Sequence, residues 1–365
     1  MKIAIVGAGM GGLAAAAAMS QARMDVTVYE QAARFARIGA GIQMLPNSMK
    51  VLRGLRIEQR LRGLAFAPRS HLNREWDSGK VLTELPMPEA RYDAPYLCMH
   101  RGDLHETLMS AVPAGALRLN RKLIGIEGGT LRFEDGSSAS ADVIIGADGV
   151  HSRVRELLFG PEKPLNKGRV AYRAVFRASR VGRDLGPSRT KWWGKDRHIV
   201  LYYTTRDSDE VYFVTSQPEK QDWVTPESWS AKGNVDELRA AFAGFHSDVR
   251  AVLDACPDCH KWAILEREPL PAWSKGRVVL LGDACHPMTP YMAQGAATSI
   301  EDAAILSRCL GEISDVEKAL KAYENHRKPR TSKIQAISSA NTWMKTPESD
   351  PDWLYGYDAW KVPID

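Results

Sequence analysis

The sequence predicts an α/β protein in which a parallel β-sheet is interleaved with an antiparallel one and helices follow at the C-terminal end. Two observations lead to this prediction. Strand-like segments at Lys2–Val6 and Asp25–Tyr29 flank an alanine-rich stretch at 11–21 that favours a helix, and a β–α–β opening implies parallel strands. Later segments rich in tyrosine and valine follow one another without helical patterns between them, which is typical of an antiparallel sheet.

Each further element has its own local signal. Aliphatic runs at 142–146 and 277–281 predict buried strands of the parallel sheet. A strand pair is expected at 117–134, and a turn signal follows at Asp135 and Gly136. The antiparallel strands are expected at 172–177, 197–205 and 211–216. Helices are expected at 44–63, 100–110, 235–245, 294–310 and 316–338, with Pro329 expected to kink or interrupt the last.

Composition indicates an ordinary globular protein, with 44% hydrophobic and 25% charged residues. The net charge is +5, and the basic residues are scattered, which disfavours nucleic-acid binding and favours a surface that attracts anions. Glycines interrupt the apolar start at 3–19, so a strand–turn–helix explains it better than a signal peptide. No other stretch reaches the length of a membrane span. We therefore expect a cytoplasmic protein without a nucleic-acid or membrane partner.

The five cysteines do not predict a disulfide framework, because their number is odd and no secretory context is visible. Cys256, Cys259 and His260 match the haem-attachment pattern CxxCH, but such a short pattern occurs by accident, and export and a haem pocket lack support. A second Cys/His pair at a ligand spacing is missing from the sequence, so we predict no zinc or other metal site.

The first motif of functional interest is a GxGxxG pattern formed by Gly7, Gly9 and Gly12. The first glycine permits a tight turn, the second lets the backbone approach a pyrophosphate, and the third lets the helix pack on the strand. The helix N-terminus offers unpaired N–H groups to phosphates. Glu30 ends the next strand, where a carboxylate binds a ribose hydroxyl. In this context the pattern predicts dinucleotide binding in a Rossmann-like fold.

Two further motifs follow buried strands. Asp148 and Gly149 end the strand at 142–146, and an arginine, Arg153, follows; the alternative is an Asp that merely caps a helix. Gly282 and Asp283 close the aliphatic strand at 277–281, at the sheet edge where ligands bind. Backbone N–H groups of Gly295 and Ala296, at the start of the next helix, can stabilise negative charge.

These three ordered motifs resemble those of the group A FAD-dependent aromatic monooxygenases, the family of p-hydroxybenzoate and salicylate hydroxylases. The resemblance spans nearly the whole chain. It implies FAD, held by the first and third motifs with Glu30 and Gln31, a flavin contact from Arg101, and a dual cofactor role for Asp148. It also implies NADH or NADPH as co-substrate without a nucleotide-binding domain of its own.

The resemblance leads to a domain division. The FAD-binding domain is expected to comprise 1–69, 98–164 and 271–312. The substrate domain is expected at 70–97 and 165–270, and a C-terminal helix and tail at 313–365. Aromatic residues of the tail could cover a pocket or make a dimer contact, so the expected state is a monomer or a homodimer.

The middle and the tail resemble the branch of this family that acts on 6-hydroxynicotinate and releases CO2. The matching residues are Lys191, Trp192 and Trp193, then Arg197 to Thr205, then the aromatic run after Asp352. Family chemistry joins O2 to the reduced flavin as a hydroperoxide, which attacks an electron-rich ring, and a base helps to deprotonate the ring hydroxyl. Tyr202 and His198 match the family's positions for this task and share a face of a regular strand. For each, the alternative is a packing role.

Three pocket positions depart from the hydroxynicotinate pattern. Gln43 and Tyr291 stand where that branch has histidines, and Arg189 stands where it has a cysteine. Arg189 could bind a carboxylate bidentately if it faces the pocket; the alternative is a solvent-exposed arginine. The predicted substrate is therefore a related small aromatic acid, such as a hydroxybenzoate, an aminobenzoate or another hydroxypyridine carboxylate, with or without loss of CO2.

Alternative functions on the same fold would require other sequence features or another behaviour of the bound FAD. A flavin halogenase usually carries a Trp-x-Trp-x-Ile-Pro signature, which the sequence lacks. A flavin oxidase or dehydrogenase does not need the motif at Asp148. A non-catalytic FAD-binding protein would bind FAD tightly without any compound stimulating NAD(P)H oxidation.

Overall fold

The computed structural model describes residues 1–37, 39–162, 164–219, 231–343 and 350–364. The strands, in chain order, are β1 (Lys2–Val6), β2 (Asp25–Tyr29), β3 (Gly41–Met44), β4 (Ser70–Glu75), β5 (Val81–Pro86), β6 (Leu97–His100), β7 (Leu117–Arg118), β8 (Leu123–Glu127), β9 (Thr130–Phe133), β10 (Ser138–Ser140), β11 (Val143–Gly146), β12 (Leu165–Arg177), β13 (Arg189–Trp193), β14 (His198–Tyr203), β15 (Glu210–Pro218), β16 (Lys232–Gly233), β17 (Cys259–Glu266), β18 (Ser274–Lys275) and β19 (Val278–Leu280).

The helices, in chain order, are α1 (Met10–Gln21), α2 (Pro46–Gly54), α3 (Glu58–Leu64), α4 (Glu89–Tyr92), α5 (Arg101–Ser110), α6 (Arg153–Phe159), α7 (Val235–Ala241), α8 (Ser247–Ala255), α9 (Gly295–Glu312), α10 (Val316–Ala340) and α11 (Asp352–Tyr355). The helix predicted at 44–63 is two helices, α2 and α3, because Arg56 between them takes a left-handed φ of 63°. None of the helices in the described part of the chain combines the length and apolarity that crossing a bilayer requires.

A six-stranded sheet contains the predicted parallel strands. Its order is β18-β19-β11-β1-β2-β7; the pairs from β19 to β7 are parallel, and β18 runs antiparallel to β19. The sheet lies in the largest apolar core, together with α1 and α9. Alanines make up most of the buried surface of α1, so this helix can pack closely against its neighbours. The predicted Rossmann-like arrangement is confirmed.

An eight-stranded sheet contains the strands from the middle of the chain. Its order is β16-β17-β12-β15-β14-β13-β4-β5, and its pairs are antiparallel except for β13 with β4. The predicted antiparallel sheet is therefore confirmed, with one parallel pair that the sequence did not indicate. That pair joins two distant chain segments and sets Arg189 beside His71 in register. The limits of the domains remain a prediction.

The two faces of β14 point into different cores. Ile199, Leu201 and Tyr203 pack with α7 and α8, whereas Val200 and Tyr202 belong to a third apolar cluster on the opposite side. This alternation follows from the two-residue period of a strand. It places Tyr202 in the cluster that also contains Met292 and against which Met288 packs.

Helix α10 runs without interruption through Pro329. A proline inside a helix removes one hydrogen bond and costs about 3 kcal/mol. Here the helix is tied to α9 on both sides of the proline, since Arg327 Nη2 lies 2.7 Å and Arg330 Nε 2.9 Å from Glu301 Oε2. The prediction that Pro329 interrupts this helix is wrong, because tertiary ion pairs hold the helix together.

Candidate active site

A cleft of about 640 Å3 lies where β1, β2 and β11 end. Ligands of open α/β sheets bind at the carboxyl ends of their strands. The exposed face of β17 and the loop after β19 form the facing walls. Among the predicted cofactor positions, those that line the cleft are Gly7, Gly9, Glu30, Gln31, Arg101, Asp148 and Asp283.

The glycine turn at the base of the cleft has the geometry that the motif predicts. Gly7 has φ of +102°, and a Cβ there would lie 2.5 Å from the Ala147 carbonyl oxygen. A Cβ on Gly12 would lie 2.0 Å from the Gly7 carbonyl oxygen, so only glycine lets α1 approach β1. A Cβ on Gly9 would meet no described atom within 4 Å. Gly9 therefore leaves space that the fold itself does not need, as a bound pyrophosphate requires.

A second, smaller cavity brings the three predicted substrate-binding residues together. Gln43, Arg189 and Tyr291 all line it. At about 10 Å3 it has room for about one water molecule, so an aromatic acid fits only if side chains move or if its ring extends into the neighbouring cleft. The other described lining residues are His71, Asn73, Lys191, Met292, Ala293, Trp343 and Tyr355.

Arg189 is buried, with 7% of its surface exposed, so the alternative of a solvent-exposed arginine is wrong. The guanidinium makes no hydrogen bond or ion pair with any residue that the structure describes, and its Nε is fully enclosed without a partner. None of the described residues that line the cavity is acidic. A buried guanidinium without a counter-ion is costly, so this cavity favours an anionic ligand.

One loop connects the cleft and the cavity. Pro287, Met288, Thr289 and Pro290 line the cleft, and Tyr291 to Ala293 continue directly into the wall of the cavity. A ligand in the end of the cleft and a ligand in the cavity are therefore neighbours. The arrangement suits a long dinucleotide cofactor whose reactive end meets a small anionic substrate.

Comparison with known proteins agrees with this geometry. Residues 126–338 match a family model described as an FAD binding domain, and residues 5–42 match an NAD(P)-binding Rossmann-like domain. The chain is 46% identical to 6-hydroxynicotinate 3-monooxygenase of Bordetella bronchiseptica, over 100% of this chain and 97% of the relative. It is 37% identical to 3-amino-4-hydroxybenzoate 2-monooxygenase PtnB3 of Streptomyces platensis, over 98% of this chain and 96% of the relative. The chain belongs to the FAD-dependent aromatic monooxygenases.

A solved structure with bound FAD has a similar fold. HpxO of Klebsiella pneumoniae, complexed with FAD and uric acid, superposes with a TM-score of 0.83 at 25% identity, covering 96% of this chain and 90% of that chain. As a flavin monooxygenase, this protein uses FAD, and its Rossmann-like region fits NAD(P)H as co-substrate. The predictions of fold, enzyme class and cofactor are confirmed.

Several features of the cleft suit the binding of FAD. Arg101 is exposed in the cleft, and its guanidinium makes no hydrogen bond or ion pair with a described residue. Each carboxylate oxygen of Glu30 accepts one backbone N–H, from Ala8 and Ala32, both at 2.8 Å. Each oxygen retains a lone pair that can accept a ribose hydroxyl. Gln31, next to Glu30, is exposed at the rim.

Asp148 caps a helix as well as lining the cleft. Its Oδ1 accepts the Ser152 hydroxyl at 2.5 Å, and its Oδ2 accepts the Val154 N–H at 3.0 Å. Burial raises the pKa of Asp148, and both of these hydrogen bonds oppose that rise. Asp148 therefore caps the start of α6, as the alternative interpretation expected. A direct contact between Asp148 and a nucleotide stays a prediction.

Asp283 faces the N-terminus of α9 across the end of the cleft. The Cβ position of Gly295 lies 3.8 Å from Asp283 Oδ1, and Gln294, the residue that precedes the helix, provides no side-chain cap. The first N–H groups of α9, at Gly295 and Ala296, are thus available to a ligand with negative charge. These two residues do not line the cleft themselves but lie just behind Asp283.

A buried ion network supports the loop that carries Asp283. Asp302 accepts from the Gly282 N–H at 3.1 Å, lies 2.5 Å from His286 Nε2, and pairs with Arg327 Nε at 2.6 Å. Cys285 joins His286 and Asp302 in a cluster whose donor atoms lie within 4.8 Å of one another. Burial raises the pKa of the Cys285 thiol well above its usual range, and its Sγ donates to the Gly282 carbonyl oxygen at 3.3 Å. The cluster is best understood as a structural network.

Gln43 lines the cavity and is hydrogen-bonded to Tyr202, which is not among the described residues that line it. The Tyr96 hydroxyl donates to Gln43 Oε1 at 2.5 Å, which directs the Gln43 amide nitrogen away from Tyr96. Burial raises the pKa of Tyr202 well above 10, and Arg189 and Gln43 oppose the rise. Tyr202 is therefore a neutral phenol at ordinary pH, able to donate or accept a hydrogen bond but not a resident base.

His198 does not line the cavity. It is buried behind Tyr291, with ring centroids 5.4 Å apart. The Tyr291 hydroxyl lies 2.9 Å from Ser216 Oγ. The two predicted catalytic residues share a strand face, as expected, but the structure separates them, because Tyr291 lies between His198 and the cavity. The roles of both residues stay predictions.

His71, Asn73 and Tyr355 line the cavity but were not predicted from the sequence. His71 and Asn73 alternate on β4, in a region whose composition is proline-rich and polar and predicts only short strand-like pieces, and Tyr355 comes from the tail. The available signal was period two in the segment from Ser70 to Glu75, which places His71 and Asn73 on one face of a strand. Which face they occupy depends on the pairing of β4 with β13, which local sequence does not reveal.

Proposed function

We propose that the protein hydroxylates a small aromatic or hydroxypyridine carboxylate whose carboxylate pairs with Arg189. The observation that carries the proposal is the burial of this guanidinium, without a counter-ion among the described residues, beside the end of the FAD cleft. A substrate carboxylate supplies the missing negative charge in bidentate geometry. Such a pair also sets the register of the ring relative to the cofactor.

Lys191 adds a second positive charge to the same cavity. Its Nζ lies 3.6 Å from the Trp193 ring centroid and donates to Asn341 Oδ1 at 3.3 Å. Two cations and no acidic residue among the described lining side chains attract a monoanionic or dianionic ring. A cationic or neutral substrate would leave the Arg189 guanidinium without a counter-ion among the described residues.

FAD, once reduced by NAD(P)H, would supply an electrophilic oxygen atom derived from O2. The residues that would hold it are the glycine turn, Glu30 and Gln31, Arg101, Asp283 and the first turn of α9, with Asp148 shaping the adjoining loop. Arg101 and the positive end of the α9 dipole favour negative charge at the cofactor. The protein's own contribution is to orient the ring and to exclude water.

Tyr202 would act on the substrate through Gln43, to which it is hydrogen-bonded. As a neutral phenol it would hold the Gln43 side chain in place at the wall of the cavity. His198 would act through Tyr291, whose ring it fixes. Gln43 would orient Tyr202 and donate to the substrate.

A second candidate reaction is hydroxylation at the carbon that carries the carboxylate, with loss of CO2. Identity of 46% to a 6-hydroxynicotinate 3-monooxygenase favours it. Pairing with Arg189 opposes it, because a guanidinium stabilises the carboxylate and not the departing neutral CO2. Gln43, Arg189 and Tyr291 also differ from that branch, so we place the substrate among related acids.

The test is oxidation of NADH and NADPH by the FAD-loaded protein with 6-hydroxynicotinate, 4-hydroxybenzoate, 3-amino-4-hydroxybenzoate and salicylate, followed by product mass. We expect one acid to stimulate oxidation and to gain one oxygen atom. A product with hydroxyl in place of carboxyl identifies the second candidate. A bound FAD with no stimulation by any acid would contradict the proposal.

Arg189→Met and Arg183→Met form a matched pair for this assay. Arg183 is an exposed arginine of the same region, bound to Asp248. We expect Arg189→Met to raise KM about 30-fold or more, because it removes one partner of a buried charge pair, and Arg183→Met to leave KM unchanged. Equal effects of the two substitutions would remove Arg189 from the substrate site.

A further inference from the structure

His71 lies in the cavity beside Arg189. It is the second residue of β4, and the parallel pairing of β4 with β13 puts it in register with Arg189 on the same face. Both side chains line the cavity. The two residues come from chain segments more than a hundred positions apart, so only the fold brings them together.

The imidazole of His71 stacks on aromatic rings of the described residues. Its ring stacks on Tyr96, with centroids 4.6 Å apart, and lies 6.2 Å from the Tyr355 ring. Only 4% of the residue is exposed. Neither ring nitrogen has a hydrogen-bond partner among the described residues. Buried polar groups almost always have a partner, and a group without one calls for an explanation such as a ligand.

The charge state of His71 restricts that ligand. Burial and the Arg189 guanidinium hold the pKa of His71 well below 6.5, so the ring is neutral, with one donor and one acceptor nitrogen. A carboxylate paired with Arg189 offers only acceptors. The acceptor nitrogen of His71 therefore needs a hydrogen-bond donor on the substrate, and a ring hydroxyl supplies one.

Other groups around the cavity are less able to accept a proton. Tyr202 and Tyr96 are buried phenols whose pKa values are raised well above 10, and burial raises the pKa of Tyr355 to about 12. Gln43 has no basic nitrogen. The groups that face His71 from the packed elements are Arg189, Lys191, Tyr96, Tyr291, Tyr355 and Asn73.

We propose that His71 recognises the ring hydroxyl of the substrate and accepts its proton. This inference rests on the proposed function. One imidazole nitrogen accepts the hydroxyl's hydrogen bond; the O–H bond then breaks, the electron pair stays on the ring oxygen, and an N–H bond forms on His71. The substrate carboxylate compensates the positive charge of Arg189. This lowers the free-energy cost of forming the imidazolium on His71. After the ring is hydroxylated, the proton returns to the product's oxygen.

The test compares ligands that differ only in the hydroxyl. FAD-loaded protein is titrated with 4-hydroxybenzoate against benzoate, and with 6-hydroxynicotinate against nicotinate, using the change in flavin absorbance. We expect the wild type to prefer a hydroxylated acid about tenfold and His71→Phe to lose this preference. Arg189→Met should weaken the binding of the hydroxylated acid and of its unhydroxylated counterpart by the same factor.

His71→Asn serves as the second variant, since it keeps a hydrogen-bonding side chain without a basic nitrogen. We expect it to load FAD and bind the hydroxylated acid, yet to lose the rise of kcat with pH that reports a base. A hydroxyl preference retained in His71→Phe, or an unchanged pH profile in His71→Asn, would overturn the inference. Failure of every carboxylate to bind the wild type would instead contradict the proposed function.

Discussion

The cofactor cleft and the substrate cavity are built in opposite ways. The cleft is made mainly of backbone: a glycine turn, strand ends and the first turn of α9. The carboxylates of Glu30 and Asp148 accept hydrogen bonds from the fold itself, while Arg101 and the first N–H groups of α9 stay available to the cofactor. The cavity is made of side chains, and two of its buried polar groups, the His71 imidazole and the Arg189 Nε, have no hydrogen-bond partner among the described residues. The cleft is thus complete as a structure, whereas the cavity needs a ligand to satisfy its polar groups. Substitutions in the cleft should therefore act on folding and FAD content, and substitutions in the cavity on substrate.

Gly12→Ala and Gly9→Ala should have the largest and most different effects within the cleft. The new Cβ at position 12 would lie 2.0 Å from the Gly7 carbonyl oxygen, whereas the one at position 9 meets no described atom within 4 Å. We expect Gly12→Ala to yield no FAD-loaded protein, because backbone must move. Gly9→Ala should fold and bind FAD more weakly.

FAD content from absorbance and a thermal melt of each variant check this expectation. Normal loading in Gly12→Ala would mean that close packing of α1 on β1 is not needed. Unfolding in Gly9→Ala would mean that Gly9 serves the fold and not the cofactor.

Arg327→Met should destabilise the protein by about 3–5 kcal/mol, since it leaves Glu301 and Asp302 as buried charges with one partner fewer. The measurement is the free energy of unfolding in denaturant. Lys318→Met, at an exposed position of the same helix, is the control and should change stability by less than about 0.5 kcal/mol. A loss of stability no larger than that of Lys318→Met would show that the ion pairs of Arg327 do not support the wall of the cleft.

His100→Asn should make the free energy of unfolding less dependent on pH below about pH 6.5. His100 is buried and its Nδ1 accepts the Gly102 N–H at 3.0 Å, where α5 begins. Burial, with Arg37 adding to the effect, lowers its pKa to about 4. The folded protein thus disfavours the charged form of His100. The contribution of neutral His100 to the free energy of unfolding is therefore complete above about pH 6.5 and is lost as the pH falls towards 4.

At pH 5 the lost stability amounts to about 2 kcal/mol. Asparagine caps helices well and does not titrate in this range, so His100→Asn should lose less stability between pH 7.5 and pH 5 than the wild type. Parallel curves for the two proteins would show that His100 does not contribute to acid sensitivity.

The contrast between the two sites also explains what the sequence could predict. The glycine turn, Glu30 and Asp283 lie within a few residues of a strand end, so their roles are visible in local patterns. The parallel and antiparallel sheets were predicted for the same reason, from runs of about five residues. Pro329 was misjudged because ion pairs from α9, which lie far away in sequence, decide whether α10 continues.

The cavity could not be assembled from the sequence alone. Gln43, His71, Arg189, Tyr291 and Tyr355 come from five separate segments. The resemblance to a family located three of them, but the burial of Arg189 and the presence of His71 depend on the parallel pairing of β4 with β13. The register of a non-local strand pair follows from tertiary packing, which a local motif does not contain.

The most direct test of the account is to compare an acid with its amide. The affinities of FAD-loaded wild type and Arg189→Met for 6-hydroxynicotinate and 6-hydroxynicotinamide isolate the carboxylate charge. We expect the wild type to prefer the acid about 30-fold or more and Arg189→Met to abolish this preference. A wild type that binds acid and amide equally, or a variant that keeps the preference, would contradict the central claim that Arg189 awaits a substrate carboxylate.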